Sequence, residues 1–570
     1  MMKKSCFSNQ VNFFIGLGVL LLSLGTLVSV DAPLIRHQTI IFQSQEGSRL
    51  VGTYYPGTID AGVILFEGFG SDQVMMKNIA SEFKGWGLHI FTFDFSGHGR
   101  SSGALGFDNA ASDKLAYEIL NATSEFQKLS GLDMHQIVGI GHSMGARMAL
   151  RATMLQNSSF AGIILLGCQI NLQTNVQASF FTGVEDTNLP WIQNLNSSNP
   201  STNIVLVSGS FDDIIVPEAA HLLLDKLQEG GDVGYSRTLK IVPGVFHNYE
   251  IFSPRVIRLV KESVADNLQL LSIQGRPSLV PFKSIIRIIA WISFIVITFL
   301  SSKWLKPVLL SPKINLNGST ITISSNSIDS QTYITDPKRW VKAKMWLWLV
   351  SLPLFILLMG ILVIIPLPQP VFNLIYVGFI TAYGGTTALF YLLKPKTVGI
   401  SGKLQGRSDK TNSSSIDIEW KPVIVLIGSV FLGLSLFMRS SWYYSFPLNI
   451  RLVWLFIYAV LSGFGFYIGA KERQLIMNSI DLTKERKSHL TKINNLIGFI
   501  PFFLLTVLYL LIQSYSGMLG SLQGLIILYW VYSVGDFIFK LTQQPILTAS
   551  LQGLLLQWLV MPQNVLFKIF

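Results

Sequence analysis

The chain has 570 residues, a formal net charge of +11 and only 13% charged residues. Soluble domains carry roughly 25% charged residues, so this composition excludes a wholly soluble protein. The apolar excess lies in residues 280–570, whereas residues 31–275 have the charges, turns and alternating patterns of a soluble domain. Because the basic residues cluster in loops between apolar stretches, the positive charge indicates a membrane surface and not a nucleic-acid partner.

The N-terminal segment, residues 1–30, is predicted to be a transmembrane anchor or a signal sequence. Lys3 and Lys4 precede an apolar run over residues 11–30, a charge order that is typical of both kinds of segment. The run has about 20 residues, which is long for a signal core and sufficient for a membrane span. The VSVDAP sequence that follows lacks a small-x-small cleavage pattern. These features favour an uncleaved anchor.

Residues 31–275 alternate between short β-rich runs and helical stretches. Eight runs are predicted strands: TIIFQ, RLVGTYY, GVILFEG, LHIFTFDF, QIVGIG, AGIILLG, NIVLVSG and LKIVPG. Helical patterns separate most of the later runs, which predicts a mostly parallel sheet covered by helices on both faces. The first two strands have no helix between them and are expected to form an antiparallel edge. The predicted fold class is therefore α/β for this half, joined to an all-α half.

Residues 280–570 are predicted to be a multi-span transmembrane domain of about eight helices. Candidate spans lie near 285–302, 345–366, 371–393, 422–438, 452–470, 493–513, 518–538 and 546–562. Asp536 is the clearest acidic residue within a span, and we expect it to pair with Lys540, four residues further on.

The basic residues of this half predict its orientation. Lys and Arg are concentrated in the loops at 303–344, 394–421 and 471–492, and they are sparse in the loops between these. The positive-inside rule assigns such loops to the cytoplasm. We therefore expect an integral protein of the cell membrane with residues 31–275 on its outer face.

Three of the predicted strands end in residues that could form a nucleophilic site. Open α/β sheets hold their chemistry at the carboxyl ends of the strands. QIVGI is followed by GHSMG, a G-x-S-x-G pattern in which flanking glycines allow a sharp turn that raises the Ser143 hydroxyl above the sheet. NIVLVSG is followed by Asp212 and Asp213, and LKIVPG is followed by His247. A serine hydroxyl needs a histidine to take its proton and a carboxylate to orient that histidine, so this set predicts a Ser-His-Asp triad.

These motifs resemble the α/β-hydrolase family, and most closely its branch of monoacylglycerol lipases, esterases and serine aminopeptidase-like hydrolases. The resemblance covers about residues 35–272. It includes FDFSGHGRSSG at 93–103, which is similar to the family's D-x-x-G-x-G-x-S turn, and LFEGFGSD at 65–72, which is similar to the family's oxyanion loop. The resemblance implies the α/β-hydrolase fold for this half of the chain.

The resemblance also implies roles for individual residues. Ser143 would be the nucleophile and His247 the general base. The backbone amides of Phe69 and Met144 would form the oxyanion hole. The triad acid has two candidates: family spacing counted from the preceding strand favours Asp212, whereas counting back from the next helix favours Asp213. We take Asp212 as the first choice and Asp213 as the alternative.

Two features of the site region bear on activity and specificity. The family usually has His-Gly in the oxyanion loop, whereas this chain has Glu67-Gly68, which keeps the glycine and adds a carboxyl group. Residues 169–201, between the sixth strand and the acid, leave room for a small lid and exclude a large helical cap. Substrate specificity is expected to lie in this segment.

The sequence predicts one main function and leaves two alternatives open. The main hypothesis is a membrane-anchored serine hydrolase that cleaves carboxylic esters, either small molecules or lipid-derived, through an acyl-enzyme. The same chemistry would serve a serine peptidase or amidase. A degenerate hydrolase domain would instead leave a non-catalytic membrane protein that binds or transports. No metal-ligand cluster and no phosphate-binding glycine loop occurs in the sequence, so neither a metal nor another cofactor is expected.

Overall fold

A computed structural model describes the chain except for residues 1, 32–33, 35, 107–108, 157–159, 169, 171–189, 232–233, 271–277, 310–332, 402–443, 445, 480–481, 513, 564 and 568–570. The chain begins with helix α1 (Met2–Val30). Each predicted strand run then coincides with one of eight strands: β1 (Gln38–Gln43), β2 (Arg49–Tyr55), β3 (Gly62–Phe66), β4 (His89–Asp94), β5 (Ile137–His142), β6 (Gly162–Leu166), β7 (Ile204–Gly209) and β8 (Arg237–Val242).

The eight strands form one mostly parallel sheet in the order β1-β2-β4-β3-β5-β6-β7-β8. β2 pairs antiparallel with both β1 and β4, whereas the pairs from β4 to β8 are parallel. The predicted antiparallel edge is therefore confirmed. A mostly parallel sheet of this order with helices on both faces is the α/β-hydrolase fold, so the predicted fold class is confirmed.

Two apolar layers enclose this sheet because successive residues of a strand point to opposite faces. The helices are α2 (Lys77–Lys84), α3 (Asn109–Ser130), α4 (Met144–Gln156), α5 (Pro190–Gln193), α6 (Pro217–Gln228) and α7 (Pro254–Asn267). On β3, Ile64 and Phe66 pack in the layer that contains α3 and α4. Val63 and Leu65 pack in the opposite layer, with α2 and α7. Burial on both faces explains why these strands appear in the sequence as continuous apolar runs.

The second half of the chain is helical. Its elements are α8 (Val280–Leu309), α9 (Pro337–Val363), β9 (Gln369–Pro370), α10 (Val371–Leu393), α11 (Arg451–Asn478), α12 (Lys484–Ile497), α13 (Ile500–Leu511), α14 (Tyr515–Thr542), α15 (Pro545–Val560) and β10 (Leu566–Phe567). Within the described residues, four helices are long and apolar enough to span a membrane: Pro337–Val363, Asn373–Leu393, Arg451–Asn478 and Gly517–Lys540. The predicted span at 422–438 lies outside the described residues, so the number of about eight helices stays a prediction.

The candidate span at 493–513 falls on a bent pair of helices. This stretch belongs to two helices, α12 and α13, which are bent by 48° where they meet and would count together as a fifth span. Pro501 lies in the first turn of α13. Proline lacks a backbone donor and disfavours helical geometry in the residue before it, which accounts for a new helix starting here.

The buried ion pairs of the helical half also differ from the expectation for Asp536. Its carboxylate lies 2.9 Å from Arg473 Nε and accepts a hydrogen bond from Asn495 at 3.2 Å. The predicted pairing with Lys540 is therefore replaced by contacts to two other helices. Lys344 and Glu472 form a further buried pair at 2.5 Å. These contacts join helices that are distant in the sequence, so spacing along one helix could not reveal them.

The hydrolase half docks on the helical half through a buried polar cluster. Arg451, the first residue of α11, is 1% exposed and donates hydrogen bonds to the carbonyl oxygens of Gly97 and Gly99. Tyr444 donates its backbone amide to Asp72 and its hydroxyl to Asp94, at 3.0 and 3.1 Å. The helical half therefore holds the turn that follows β4.

Replacing Arg451 with methionine should destabilise the docked protein by about 3–5 kcal/mol, because it removes the cation from a buried polar cluster. The full chain in detergent would show a lower thermal midpoint and faster proteolysis of the turn after β4. Arg255→Met is the control, since Arg255 is exposed; we expect a change within about 0.5 kcal/mol for it. Equal midpoints for the two variants would contradict the inferred role of Arg451 in docking.

Candidate active site

The candidate nucleophile lies on a strained turn between β5 and α4. Ser143 has φ +54°, in the left-handed region that residues with a side chain rarely adopt. Its backbone amide donates to the Leu166 carbonyl oxygen at 2.8 Å, which ties the turn to β6. A Cβ added to Gly145 would lie 2.4 Å from the Glu67 carbonyl oxygen. Glycine is therefore required two residues after the serine, as the motif predicts.

The structure brings Ser143, His247 and Asp212 together at the carboxyl edge of the sheet. Ser143 Oγ lies 2.9 Å from His247 Nε2, and His247 Nδ1 lies 2.7 Å from Asp212 Oδ2. His247 and Asp212 are each 3% exposed. These are the distances and the order of contacts that transfer of a proton from a serine hydroxyl requires.

The two candidate acids have different surroundings. Asp212 Oδ1 accepts hydrogen bonds from the backbone amides of Ile214 and Ile215 at 3.0 and 2.7 Å, which leaves Oδ2 for His247. Asp213 instead contacts Ser514 Oγ at 3.1 Å, between α13 and α14 of the helical half. The geometry favours Asp212 over Asp213 as the acid.

The two residues expected to form the oxyanion hole lie on either side of the serine. Met144 follows Ser143 and begins α4, so its amide belongs to the positive end of a helix. Phe69 follows Gly68, where an added Cβ would lie 3.3 Å from Ser143 Cβ and 2.8 Å from His142 Nδ1. The absence of a side chain at Gly68 thus allows the loop to approach the serine closely.

The carboxyl group of Glu67, where the family has histidine, contacts the backbone just after β4. Its Oε1 accepts a hydrogen bond from the backbone amide of Phe95 at 3.1 Å, and the residue is fully buried. Burial, with added repulsion from Asp94 and Asp72, raises the pKa of Glu67 well above its usual value. Burial therefore disfavours a negative charge at this position of the oxyanion loop.

Sequence reasoning missed a second polar pair beneath the triad, formed by His142 and Glu250. His142 Nε2 lies 3.1 Å from the His247 carbonyl oxygen and 3.6 Å from Glu250 Oε2. Glu250 Oε1 accepts the Gly209 amide at 2.8 Å. Burial lowers the pKa of His142 to about 3, whereas burial and the nearby Asp212 raise the pKa of Glu250 well above its usual value. The position of Glu250 three residues after His247 was the available sequence signal.

The same neighbourhood contains the one group of potential metal ligands found among the described residues. One ligand atom from each of His142, His247 and Glu250 lies within 4.8 Å of the others. Both ring nitrogens of His247 already face Ser143 and Asp212. The hydrogen-bond network therefore accounts for this proximity, and the donor set does not fit a metal site.

A buried carboxyl group supports the turn after β4 and should make stability depend on pH. Glu118 on α3 is fully buried and accepts the Ser96 backbone amide at 2.9 Å. Burial raises the pKa of Glu118 to about 7 despite these hydrogen bonds. The pKa of Glu118 is higher in the folded state than in the unfolded state, so protonated Glu118 contributes to the free energy of unfolding. This contribution is complete below the unfolded-state pKa and is lost as the pH rises through about 7.

Glu118→Gln should therefore flatten the pH dependence of stability between pH 5 and pH 8. The effect is on the order of 3 kcal/mol, because folding raises the pKa of Glu118 from 4.5 to about 7. The measurement is the thermal midpoint of the full chain in detergent at the two pH values. Glu125→Gln, at a less buried position on the same helix, is the control and should keep the wild-type dependence. If the thermal midpoint of Glu118→Gln changes with pH as much as that of the wild type, this carboxyl is not the titrating group.

Comparisons with known proteins agree with the fold of this half. Residues 57–201 match the family model described as serine aminopeptidase, S33. An uncharacterized protein of Mycobacterium tuberculosis is 24% identical over 237 residues, which cover 40% of this chain and 78% of that protein. The family match includes Ser143 and the oxyanion loop, and it ends before Asp212 and His247.

Two solved structures are similar to part of this chain. An esterase from Pyrococcus furiosus is 16% identical, covering 42% of this chain and 94% of its own, with a TM-score of 0.34. An α/β hydrolase from Penicillium sp. is 15% identical, covering 41% of this chain and 100% of its own, with a TM-score of 0.33.

Proposed function

We propose that this protein is a membrane-bound serine hydrolase that cleaves carboxylic esters through a covalent acyl-enzyme. The observation that carries the proposal is the chain of contacts from Ser143 Oγ through the His247 imidazole to the Asp212 carboxylate, at 2.9 and 2.7 Å. The strained backbone at Ser143 and the close approach of the oxyanion loop support it.

The proposed reaction has two stages that use the same groups. His247 Nε2 takes the proton of Ser143 Oγ while the oxygen attacks the ester carbonyl carbon. The amides of Phe69 and Met144 would stabilise the resulting oxyanion. The C–O bond to the leaving group then breaks, and the alcohol leaves with the proton from His247. Water attacks the acyl group by the reverse sequence and releases the carboxylic acid.

The charges around the triad support this reaction. Asp212 lies 2.7 Å from His247 and can stabilise its imidazolium. Burial raises the pKa values of the other acids nearby, Glu67 and Glu250, and so disfavours their charged forms. His142 has a pKa of about 3 and is neutral at pH 7. A proton that moves to His247 is therefore stabilised by one carboxylate and is not repelled by a neighbouring cation.

Cleavage of peptide or amide bonds is the second candidate activity. The matching family model is described as a serine aminopeptidase, and an acyl-enzyme forms equally from an amide when the leaving amine can be protonated. A panel of p-nitrophenyl esters and aminoacyl p-nitroanilides would separate the two. Turnover of the esters with no turnover of the anilides above the Ser143→Ala background supports the proposal, whereas Ser143-dependent turnover of the anilides favours the peptidase.

Membrane attachment and orientation are part of the same proposal. The four long apolar helices support attachment. The basic loops at 394–421 and 471–492 adjoin the ends of α10 and α11 that lie away from the hydrolase half. This arrangement supports a location in the cell membrane with the hydrolase half on the outer face. Protease accessibility of residues 31–275 in intact cells tests it, and protection of that half would overturn the orientation.

A fluorophosphonate probe tests the catalytic part directly, because such probes react with activated serines. The full chain in detergent is expected to form a covalent adduct, and mass spectrometry is expected to find it on the peptide that contains Ser143. An adduct on another residue would contradict the triad. A chain that forms no adduct while the protein is folded would favour a non-catalytic binding protein.

A further inference from the structure

The edge of the sheet that carries the candidate triad also adjoins the ends of the helices. Asp94, the last residue of β4, and Asp72, in the loop that follows β3, accept hydrogen bonds from Tyr444. Asp213, after β7, contacts Ser514 at 3.1 Å. Ser143 and His247 lie on this same edge. The triad therefore lies on the side of the hydrolase half that is nearest to the helix bundle.

The helix ends at this contact belong to one end of the bundle. Arg451 is the first residue of α11, and Val371, the first residue of α10, packs against the hydrolase core. Ser514 lies between α13 and α14. Because α10, α11 and most of α14 are long and apolar enough to span a membrane, this contact lies at the level of a membrane surface.

Exposed apolar side chains border the triad on this edge. Phe211, Val216 and Tyr249, which we call the apolar rim, are 53%, 43% and 45% exposed. Phe211 precedes Asp212 and packs against the ring of Phe246, with centroids 5.7 Å apart. Tyr249 lies two residues after His247. Exposed apolar groups beside a candidate site indicate a surface that binds something apolar.

The apolar rim continues an apolar surface of the helical half. Asp213, two residues after Phe211, is hydrogen-bonded to Ser514. Two residues of chain span at most about 8 Å, so Phe211 lies close to this contact. Leu511 and Ile512, just before Ser514, are 74% and 61% exposed. Lipid is the environment that covers such side chains at the end of a spanning helix, and aromatic residues are enriched at that level.

We propose that the apolar rim contacts the lipid surface of the membrane, and that the ester cleaved at Ser143 is an amphiphile drawn from that surface. This inference rests on the proposed function. A water-soluble ester would reach Ser143 without using the rim. Two alternatives are that a bound protein or a second copy of this chain packs against the apolar rim. Contact with labelled lipid distinguishes both from the membrane surface.

The first experiment measures lipid contact without using activity. The full chain with Cys6→Ser and Val216→Cys is labelled with an environment-sensitive fluorophore and reconstituted at one chain per phosphatidylcholine nanodisc; Cys168 is buried. Tyr235→Cys is the matched control. Tyr235 is 39% exposed, but it lies just before β8, at the amino ends of the strands and therefore away from the triad. Nitroxide-labelled lipids should quench the fluorophore at 216 several-fold more than the one at 235. Equal quenching would overturn the proposal, and it would favour a protein cover.

The second experiment compares two substrates in the same nanodiscs. One substrate is 4-methylumbelliferyl oleate in the bilayer, and the other is p-nitrophenyl acetate in water. The ratio of the first turnover rate to the second should fall about tenfold in Val216→Asp, because a charge replaces a lipid-facing side chain. Val216 is the N-cap of α6, a position where aspartate stabilises a helix, so the variant is expected to fold. Tyr235→Asp should keep the wild-type ratio.

The outcomes distinguish this inference from the proposed function. If the wild type forms a fluorophosphonate adduct and cleaves p-nitrophenyl acetate, while the ratio is the same in Val216→Asp and Tyr235→Asp, the hydrolase stands and the lipid-facing rim is wrong. If the wild type neither labels nor turns over either ester, the proposed function fails. Quenching at residue 216 would then still report lipid contact by the rim.

Discussion

Replacing Ser143 with alanine is expected to lower kcat for a short-chain ester by about 10⁵- to 10⁶-fold. The alanine has no oxygen to attack the carbonyl, and the neighbouring groups are arranged around that oxygen: His247 Nε2 lies 2.9 Å from it. The helix end at Met144 and the oxyanion loop at Gly68 would be unchanged, so KM should change far less than kcat. Turnover of p-nitrophenyl acetate by the full chain measures both constants.

Ser130→Ala is the matched control for this prediction. Ser130 lies at the end of α3 and donates its hydroxyl to the Phe126 carbonyl oxygen, away from the sheet edge that holds the triad. Its turnover should stay near that of the wild type. Wild-type rates in Ser143→Ala, with an unchanged thermal midpoint, would mean that hydrolysis uses another nucleophile.

The fold of the first half could be predicted because its strands are buried on both faces. Such strands are continuous apolar runs in the sequence, and each predicted run coincides with one observed strand. The positions of the chemical groups followed from the same pattern, since Ser143, Asp212 and His247 each come just after a strand. Parallel strands bring such residues to one edge whatever their separation in the chain.

Family spacing placed Asp212 ahead of Asp213, but the sequence could not settle the choice, because it depends on the direction of two adjacent side chains. Two backbone amides fix Asp212, whereas Ser514, about 300 residues away along the chain, contacts Asp213. Spacing within the hydrolase half contains no information about a contact with the helical half. The docking of Arg451 on Gly97 and Gly99 was unpredictable for the same reason.

Asp536 shows a further limit of sequence reasoning. The four-residue spacing from Lys540 fits a pair on one helix, yet the carboxylate contacts Arg473 and Asn495. In an apolar helix bundle a charged side chain gains most from partners that are also buried, and these are on other helices. Sequence spacing predicts contacts within a helix, and it does not rank them against contacts between helices.

Replacing Asp212 with asparagine should lower kcat about 10⁴-fold, because it reverses the proton arrangement on His247. The amides of Ile214 and Ile215 donate to Oδ1, so the asparagine oxygen is expected to keep that position. The side-chain NH₂ then faces His247 Nδ1 and forces that nitrogen to accept. The imidazole proton moves to Nε2, which faces Ser143 and can no longer take its proton.

Asp213→Asn is the matched control, since it makes the same chemical change one residue away. Its carboxylate contacts Ser514 Oγ at 3.1 Å, and an asparagine oxygen can accept the same hydrogen bond. We therefore expect kcat within about threefold of the wild type, because this hydrogen bond can still form and a single one contributes about 1 kcal/mol. Both rates come from turnover of p-nitrophenyl acetate by the full chain. If Asp213→Asn loses activity and Asp212→Asn retains it, the acid is Asp213, and the contacts of the 212–215 turn must rearrange during the reaction.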